Sequence, residues 1–354
     1  MGTLILNSLE IRNFRGFRHL QIERLGRVNL IVGKNNVGKS SLLEALQIYA
    51  RRGSPRLIRE VLVARDEGKL PPLGPFITLN FETLLPSLKY LFYGRKDVNS
   101  HLVSIAIGPI NSPDDTLNIS IGEYAGYNTS DDQGPRLSIH MGKQQIVNYS
   151  LGQSLNRVPI LELMEGINCN LIEANGLSKK QVAEMWDSIA LKDLEKEVLA
   201  ALRIVAPGVE GLNLVGDPTT TSERLPIVKI AGIDEPLPLR SLGDGMQRML
   251  GIALALVNTR DGMLLIDEIE NGIHYSAQLD LWRLIFRLAH RLNVQVFATT
   301  HSWDCIEAFQ KAAQENEKEE GVLIRLSSRK GGIGVTLFDE EELGIATREQ
   351  IEVR

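Results

Sequence analysis

Residues Gly33 to Ser40 read Gly-Lys-Asn-Asn-Val-Gly-Lys-Ser, and both flanks suit that octet. Before it runs Val28-Asn29-Leu30-Ile31-Val32, a short apolar and β-branched stretch with the composition of a buried strand. After it runs Ser41-Leu42-Leu43-Glu44-Ala45-Leu46-Gln47, rich in strong helix formers. Strand, glycine-containing loop and helix, in that order, aim a cradle of backbone N–H groups from a helix N-terminus at a phosphate. Gly33 and Gly38 let the backbone curl without Cβ clashes. Lys39 is expected to reach the β- and γ-phosphates, and the Ser40 hydroxyl to ligate Mg²⁺. Lys34, Asn35, Asn36, Val37 and Ser41 complete the stretch that wraps the phosphates. A chance glycine turn would not bring strand, Lys-Ser pair and helix with it.

The chain has 354 residues, enough for a large core in two lobes. With 43% hydrophobic and 23% charged residues it reads as an ordinary soluble globular protein. A net charge of -5 gives no whole-chain signal for nucleic acid or an anionic membrane. Its two cysteines, Cys169 and Cys305, make a disulfide framework implausible and fit a reducing cytoplasm. Neither has metal-ligand company in the sequence, so both read as packing residues. Met1 to Leu6 lack the basic start and apolar core of a signal peptide, and no apolar run is long enough to span a membrane. The expectation is a cytoplasmic protein with no membrane partner.

Residues 4–32 suggest two or three short strands, the last of them leading into the loop. The helix from Ser40 is expected to stop near Arg52, before Gly53-Ser54-Pro55, with another helix over 56–68. Residues 76–150 carry short alternating stretches split by Gly, Asn, Asp and Pro, which argues for an antiparallel sheet. Over 177–206 the pattern becomes helical, one or two amphipathic helices, with Ser178 and Gln181 spaced as a capping box. Strands return over 212–239. The α/β character then resumes: helix 244–258, strand 263–266, helix 275–291, strand 294–299, and a hairpin over 322–338 around Lys330-Gly331-Gly332. The division expected is a first lobe over 1–150, an inserted helical and β lobe over 151–238, and a second lobe over 239–354.

Met263-Leu264-Leu265-Ile266-Asp267-Glu268 is an apolar strand ending in two carboxylates. In enzymes with such a loop the first carboxylate holds Mg²⁺ and the second polarises an attacking water. Adjacent strand residues point to opposite faces, so Glu268 has to sit where the strand ends and the chain turns. Val294 to Thr299 form a second buried strand, and His301 at its end is placed for the γ-phosphate or the attacking water. One helix between the two strands makes them parallel neighbours. Ser241-Leu242-Gly243-Asp244-Gly245 opens an apolar helix, and its small residues and free N–H groups make a second anion site.

This series resembles the ABC-type ATPases of the SMC and RecF class. Asn13-Phe14-Arg15-Gly16-Phe17 and the run from Val28 to Leu46 carry that likeness, and Thr299-Thr300-His301-Ser302-Trp303-Asp304 is similar to the OLD-like AAA-family ATPases of bacterial defence. The likeness covers residues 1–60 and 239–310. It implies an α/β P-loop head with a mixed, largely parallel sheet, an antiparallel β region and an inserted helical lobe. It implies ATP and Mg²⁺ as cofactors and ATP hydrolysis in a head-to-tail dimer. The loop of one copy then faces Ser241, Gly243 and Gly245 of the other. Asp267 and Ser40 hold Mg²⁺, Glu268 is the catalytic base and His301 the γ-phosphate switch, with Lys39 on the phosphates and Arg15 close by. Asn271 and His274 fall in the loop between subunits, His274 read as structural. The glutamine that joins the lobes is not identifiable; Gln144 and Gln145 are the candidates the sequence offers.

Many OLD-like proteins carry a Toprim nuclease, for which the stretch after His301 is too short. The expected partners are therefore a second copy of the chain and a separate effector or nuclease, acting in phage defence or DNA repair. DNA or RNA is a further candidate, through Arg51, Arg52, Arg56, Arg59 and Arg65, although a solvated helix face paired with Glu60, Asp66 and Glu67 is the preferred reading of that cluster. The alternatives are the cytoplasmic ATPase subunit of a membrane transporter and a slow-turnover, ATP-dependent scaffold.

Overall fold

A computed structural model describes residues 3–67, 86–95, 102–122, 136–150, 166–216, 223–315, 321–338 and 344. Strands β1 (Leu9–Phe14), β2 (Phe17–Ile22) and β3 (Val28–Val32) lead into helices α1 (Lys39–Ala50) and α2 (Pro55–Val63). Then come β4 (Val103–Gly108), β5 (Leu117–Gly122), β6 (Arg136–Met141), β7 (Gln144–Ser150) and β8 (Cys169–Ile172). Helices α3 (Lys179–Ile189) and α4 (Glu195–Val205) precede β9 (Val209–Gly216), β10 (Arg224–Ile230) and β11 (Leu237–Pro238). The chain closes with α5 (Asp244–Asn258), β12 (Met263–Ile266), α6 (Tyr275–Arg291), β13 (Gln295–Thr299), α7 (Trp303–Glu315), β14 (Gly321–Arg329) and β15 (Gly332–Phe338).

The central sheet has the order β15-β14-β3-β13-β12-β8. All its pairings are parallel except β14 with β15, a hairpin at the edge. Parallel strands need crossovers: α6 supplies one between the neighbours β12 and β13, and α7 carries the chain from β13 past β3 to β14. The pairings Val296↔Val28 and Ile266↔Ala298 align the C-terminal ends of β3, β12 and β13 along one edge. That edge is where a parallel sheet offers its ligand crevice.

The period of two along these strands divides the interior. Val28, Leu30 and Val32, Leu264 and Ile266, and Val296 and Ala298 face one core, shared with α3 to α7. Ile31, Met263, Leu265 and Phe297 face another, shared with α1, α2 and the antiparallel strands. Strands buried on both faces read as continuous apolar runs, which is why β3 and β12 stand out in the sequence.

The second sheet is antiparallel throughout, in the order β2-β1-β4-β5-β6-β7, so the alternating stretches foreseen over 76–150 are completed by the N-terminal hairpin. Part of that span, 76–85, 96–101 and 123–135, lies outside the described residues. The third sheet, β11-β10-β9, accompanies α3 and α4, so the one or two helices expected over 177–206 are two. The Ser178 hydroxyl accepts from the Gln181 N–H at 3.3 Å and the Gln181 side chain accepts from the Ser178 N–H at 2.9 Å, so the capping box forms. Helices 244–258 and 275–291 and strand 263–266 have the bounds expected. Two memberships were not foreseen: β8 forms the edge of the central sheet beside β12, and β14 pairs with β3 as well as with its hairpin mate. Among the described residues no helix is long and apolar enough to cross a membrane.

Candidate functional site

The phosphate loop is held in conformations that L side chains rarely adopt. Asn36 has φ 61, and Gly38, the N-cap of α1, has φ 101. Gly33 has φ 147, and a Cβ there would stand 2.5 Å from the Leu326 carbonyl oxygen and 2.9 Å from Val37 Cγ1. The loop is thus pressed onto β14, and only glycine fits. Gly33→Ala is expected to destabilise the protein by roughly 1–3 kcal/mol, the scale of one strained backbone position. Thermal unfolding of the variant beside the parent measures that loss.

Lys39 is buried at 6% exposure. Its ammonium donates to the carbonyls of Gly33 at 2.7 Å and Lys34 at 3.1 Å and lies 3.4 Å from His301 Nδ1. Burial pushes its pKa below the ordinary lysine value, while Asp267, Glu268 and Glu270 pull it back up. The Ser40 hydroxyl donates to Asp267 Oδ2 at 2.9 Å. The other carboxylate oxygen, Oδ1, accepts from the Thr299 hydroxyl at 2.6 Å, and the Thr299 oxygen accepts from the Glu268 N–H at 2.8 Å. Neighbouring strands β12 and β13 thus lock Asp267 beside the loop. A hydroxyl and a carboxylate are hard oxygen donors, the set that Mg²⁺ takes together with substrate phosphates and water. Among the described residues no group of three His, Cys, Asp or Glu is placed to hold a metal, and Mg²⁺ bound largely by substrate and water needs none.

Glu268 sits at the turn after β12 with φ 48. Its Oε2 accepts from Asn271 Nδ2 at 2.7 Å, and its Oε1 lies 3.7 Å from His301 Nε2. The His301 N–H donates to Glu270 Oε1 at 2.8 Å. The imidazole therefore stands between Lys39 and Glu268. On the other side of the turn, the guanidinium of Arg248 donates to the carbonyls of Glu173 at 2.7 Å, Asp267 at 2.5 Å and Glu268 at 2.8 Å.

A cavity of about 770 Å³ opens on these groups. Asn35, Asn36, Gly38, Lys39, Ser40, Ser41, Asp267, Glu268 and His301 line it, and so does Arg15. That volume lies in the range of small-molecule sites. Gly33, Lys34 and Val37 shape the loop beneath it. Arg15 is already engaged: its guanidinium pairs with Glu44 and, at 2.8 Å, with Glu67. Arg65, from the basic cluster, also pairs with Glu44. The rest of that cluster does not share one face. Arg56 pairs with Glu60 at 3.1 Å, Arg51 donates to the Cys169 carbonyl and Arg59 is buried.

Ser241, Gly243 and Gly245 do not line this cavity. Ser241 and Gly243 are exposed on the approach to α5, where Gly243 has φ 96, and Gly245 is half-buried in its first turn. A Cβ on Gly245 would meet the Gly272 carbonyl oxygen at 2.5 Å, which packs the start of α5 against the turn after Glu268. His274 caps α6, its Nδ1 accepting from the Ser276 N–H at 3.4 Å. Gln144 and Gln145 belong to β7, an edge strand of the antiparallel sheet, and do not line the cavity. The sequence reading missed Thr299, Glu270 and Arg248. Thr299 and Glu270 lie within two residues of His301 and Glu268, so strand-end position was a usable signal, whereas Arg248 offered none in a helix that otherwise reads as apolar.

Residues 5–82 match the model of an AAA ATPase domain, and residues 229–304 match a model described as "AAA domain, putative AbiEii toxin, Type IV TA system". The chain is 24% identical over 352 residues to an ATP/GTP phosphatase of Helicobacter pylori, covering 88% of this chain and 90% of that protein. It is 38% identical over 53 residues to the DNA replication and repair protein RecF of Oenococcus oeni, 15% of this chain and 14% of that one. Among solved structures, the SMC head bound to the C-winged helix domain of ScpA superposes with a TM-score of 0.55 at 14% identity, covering 95% of this chain and 99% of that one. With its loop, its sheet and these matches, the chain is a P-loop ATPase with a fold like that of an SMC head.

Proposed function

We propose that this ATPase is Mg²⁺-dependent and works as an ATP-gated head-to-tail dimer that switches a separate effector or nuclease in phage defence or DNA repair. One observation carries the dimer: the cavity collects Lys39, Ser40, Asp267, Glu268 and His301, while Ser241 to Gly245 lie outside it, with Ser241, Gly243 and Asp244 exposed. The site is therefore half built in one copy, and the second copy completes it with the N-terminus of its α5. The descriptions of the matched 229–304 model and of RecF support the defence and repair roles.

In this reading Lys39 turns from its own loop carbonyls to the β- and γ-phosphates, and the loop N–H groups take the phosphate oxygens. Ser40 and Asp267 would hold Mg²⁺, which would supply charge neutralisation at the phosphates. Glu268 orients the attacking water and takes its proton. His301, fixed through Glu270, donates to the γ-phosphate and releases it after hydrolysis. Two γ-phosphates bound across two copies favour the closed dimer, and hydrolysis removes that preference. The test is mass in solution: light scattering is expected to show doubling with ATP and Mg²⁺ and a monomer with ATP and chelator. A constant mass in both conditions overturns the dimer.

Lys39 also sets a pH dependence. Its pKa is depressed in the nucleotide-free protein and rises when anionic phosphates replace its carbonyl partners. ATP affinity is then lost as pH rises through the depressed value, by up to about tenfold per pH unit. Stability of the nucleotide-free protein moves the other way. A lysine depressed on folding leaves the unfolded chain with more bound protons, so stability rises with pH between the depressed value and the ordinary lysine value of 10.5. ATP titrations and thermal melts across that alkaline window check both signs.

A further inference from the structure

Arg248 lies on α5, the helix that Ser241 to Gly245 open, yet its side chain does not serve the start of that helix. It is buried at 5% exposure and reaches the C-terminal ends of β12 and β8. There it donates to three main-chain carbonyls, those of Glu173, Asp267 and Glu268. Two belong to the carboxylates of the site. The third ends β8, which pairs in register with β12 at Ile266↔Ile172. Two of these carbonyls also accept a main-chain N–H, Glu173 from Gly176 at 2.9 Å and Glu268 from Asn271 at 3.0 Å, and a buried cation spanning all three fixes their directions together. The consequence falls on Glu268. Its φ of 48 is one that a glutamate rarely adopts, and it persists only where the surroundings over-determine it. On one side Thr299 accepts the Glu268 N–H, and on the other Arg248 takes the Glu268 carbonyl. Between those two clamps the carboxylate is turned out of the strand toward His301.

We propose that Arg248 is a positioning residue for hydrolysis: it holds the Asp267-Glu268 turn of its own copy in the strained conformation that presents the Glu268 carboxylate to the attacking water. The inference rests on the role of Glu268 given above. Arg248 touches no substrate, so its loss acts on turnover and not on nucleotide binding.

Arg248→Lys keeps the charge but cannot span three carbonyls, and Arg248→Met keeps the length without donors. Both are expected to bind ATP within about twofold of the parent and to lose about 10²-fold in kcat, the scale of a misplaced catalytic group. Thermal melts identify any variant that fails to fold, and the folded one of the pair decides. Turnover within about threefold of the parent overturns the proposal, as does a loss of ATP affinity equal to the loss of kcat. If Glu268→Gln turns over like the parent, the reading of Glu268 fails first; if that variant is inactive while Arg248→Lys is active, only the positioning role fails.

A mixed dimer locates the effect. When a Ser241→Arg copy is paired with a Lys39→Ala copy, the one complete site takes its loop and Glu268 from the first and its α5 N-terminus from the second. Adding Arg248→Lys to the Ser241→Arg copy is expected to remove the rescued activity. Adding it to the Lys39→Ala copy is expected to spare it. The opposite pattern makes Arg248 a support for the N-terminus of α5 and overturns the assignment.

Discussion

Glu268→Gln is expected to keep ATP binding and lose hydrolysis by about 10²–10⁴-fold, the range that a positioned general base supplies. The substitution changes little else. Glu268 Oε2 accepts from Asn271 and the Glu268 main chain is clamped by Thr299 and Arg248, so an isosteric amide leaves the turn in place. The lost property is a carboxylate that accepts a proton. Because Lys39, Ser40 and Asp267 are untouched, ATP still binds, and a dimer held by unhydrolysed γ-phosphates accumulates. Phosphate release and light scattering on one preparation check both halves. Turnover equal to the parent's removes Glu268 as the base and leaves the phosphate loop unaffected.

Ser241→Arg is expected to spare ATP binding by the isolated chain and to reduce hydrolysis by about 10²-fold or more, as removal of a charge-stabilising group at a reacting centre does. Ser241 is exposed and outside the cavity of its own copy, so a long side chain there meets solvent in the monomer. In the proposed head-to-tail dimer it meets the partner's nucleotide. Lys39→Ala is the complementary lesion, since it disables the loop of its own copy and leaves Ser241 intact. Mixed one to one, the two variants form hetero-pairs in about half the dimers, each with one whole site, so about a quarter of the parent's activity returns under two-fold symmetry. A mixture no more active than its components rules out a site shared between copies.

The phosphate loop was legible because its chemistry is local: a buried strand, two glycines, Lys39, Ser40 and a helix follow one another without interruption. The Asp267-Glu268 strand and the His301 strand were legible for the same reason, since runs buried on both faces show as unbroken apolar segments. Arg15 was placed beside the cavity by its motif, but its commitment to Glu44 and Glu67 was not visible, because those carboxylates lie on α1 and after α2. β8 escaped notice as a central strand. It has four residues, only Cys169 and Ile172 are buried, and its partner β12 lies far along the chain.

By itself the sequence determined the phosphate cradle, the two strand-end carboxylates and the order of the elements that carry them, all set by neighbours within one turn or one strand. Only the tertiary structure decided which groups meet. Parallel pairing of β3, β13 and β12 brings Lys39, Asp267 and His301 to one edge, and it assembles Thr299, Arg248 and Glu270 around the turn at Glu268. It also leaves Ser241 to Gly245 outside that cavity. These are contacts between residues distant along the chain, fixed by sheet register and helix packing, and no local pattern encodes them.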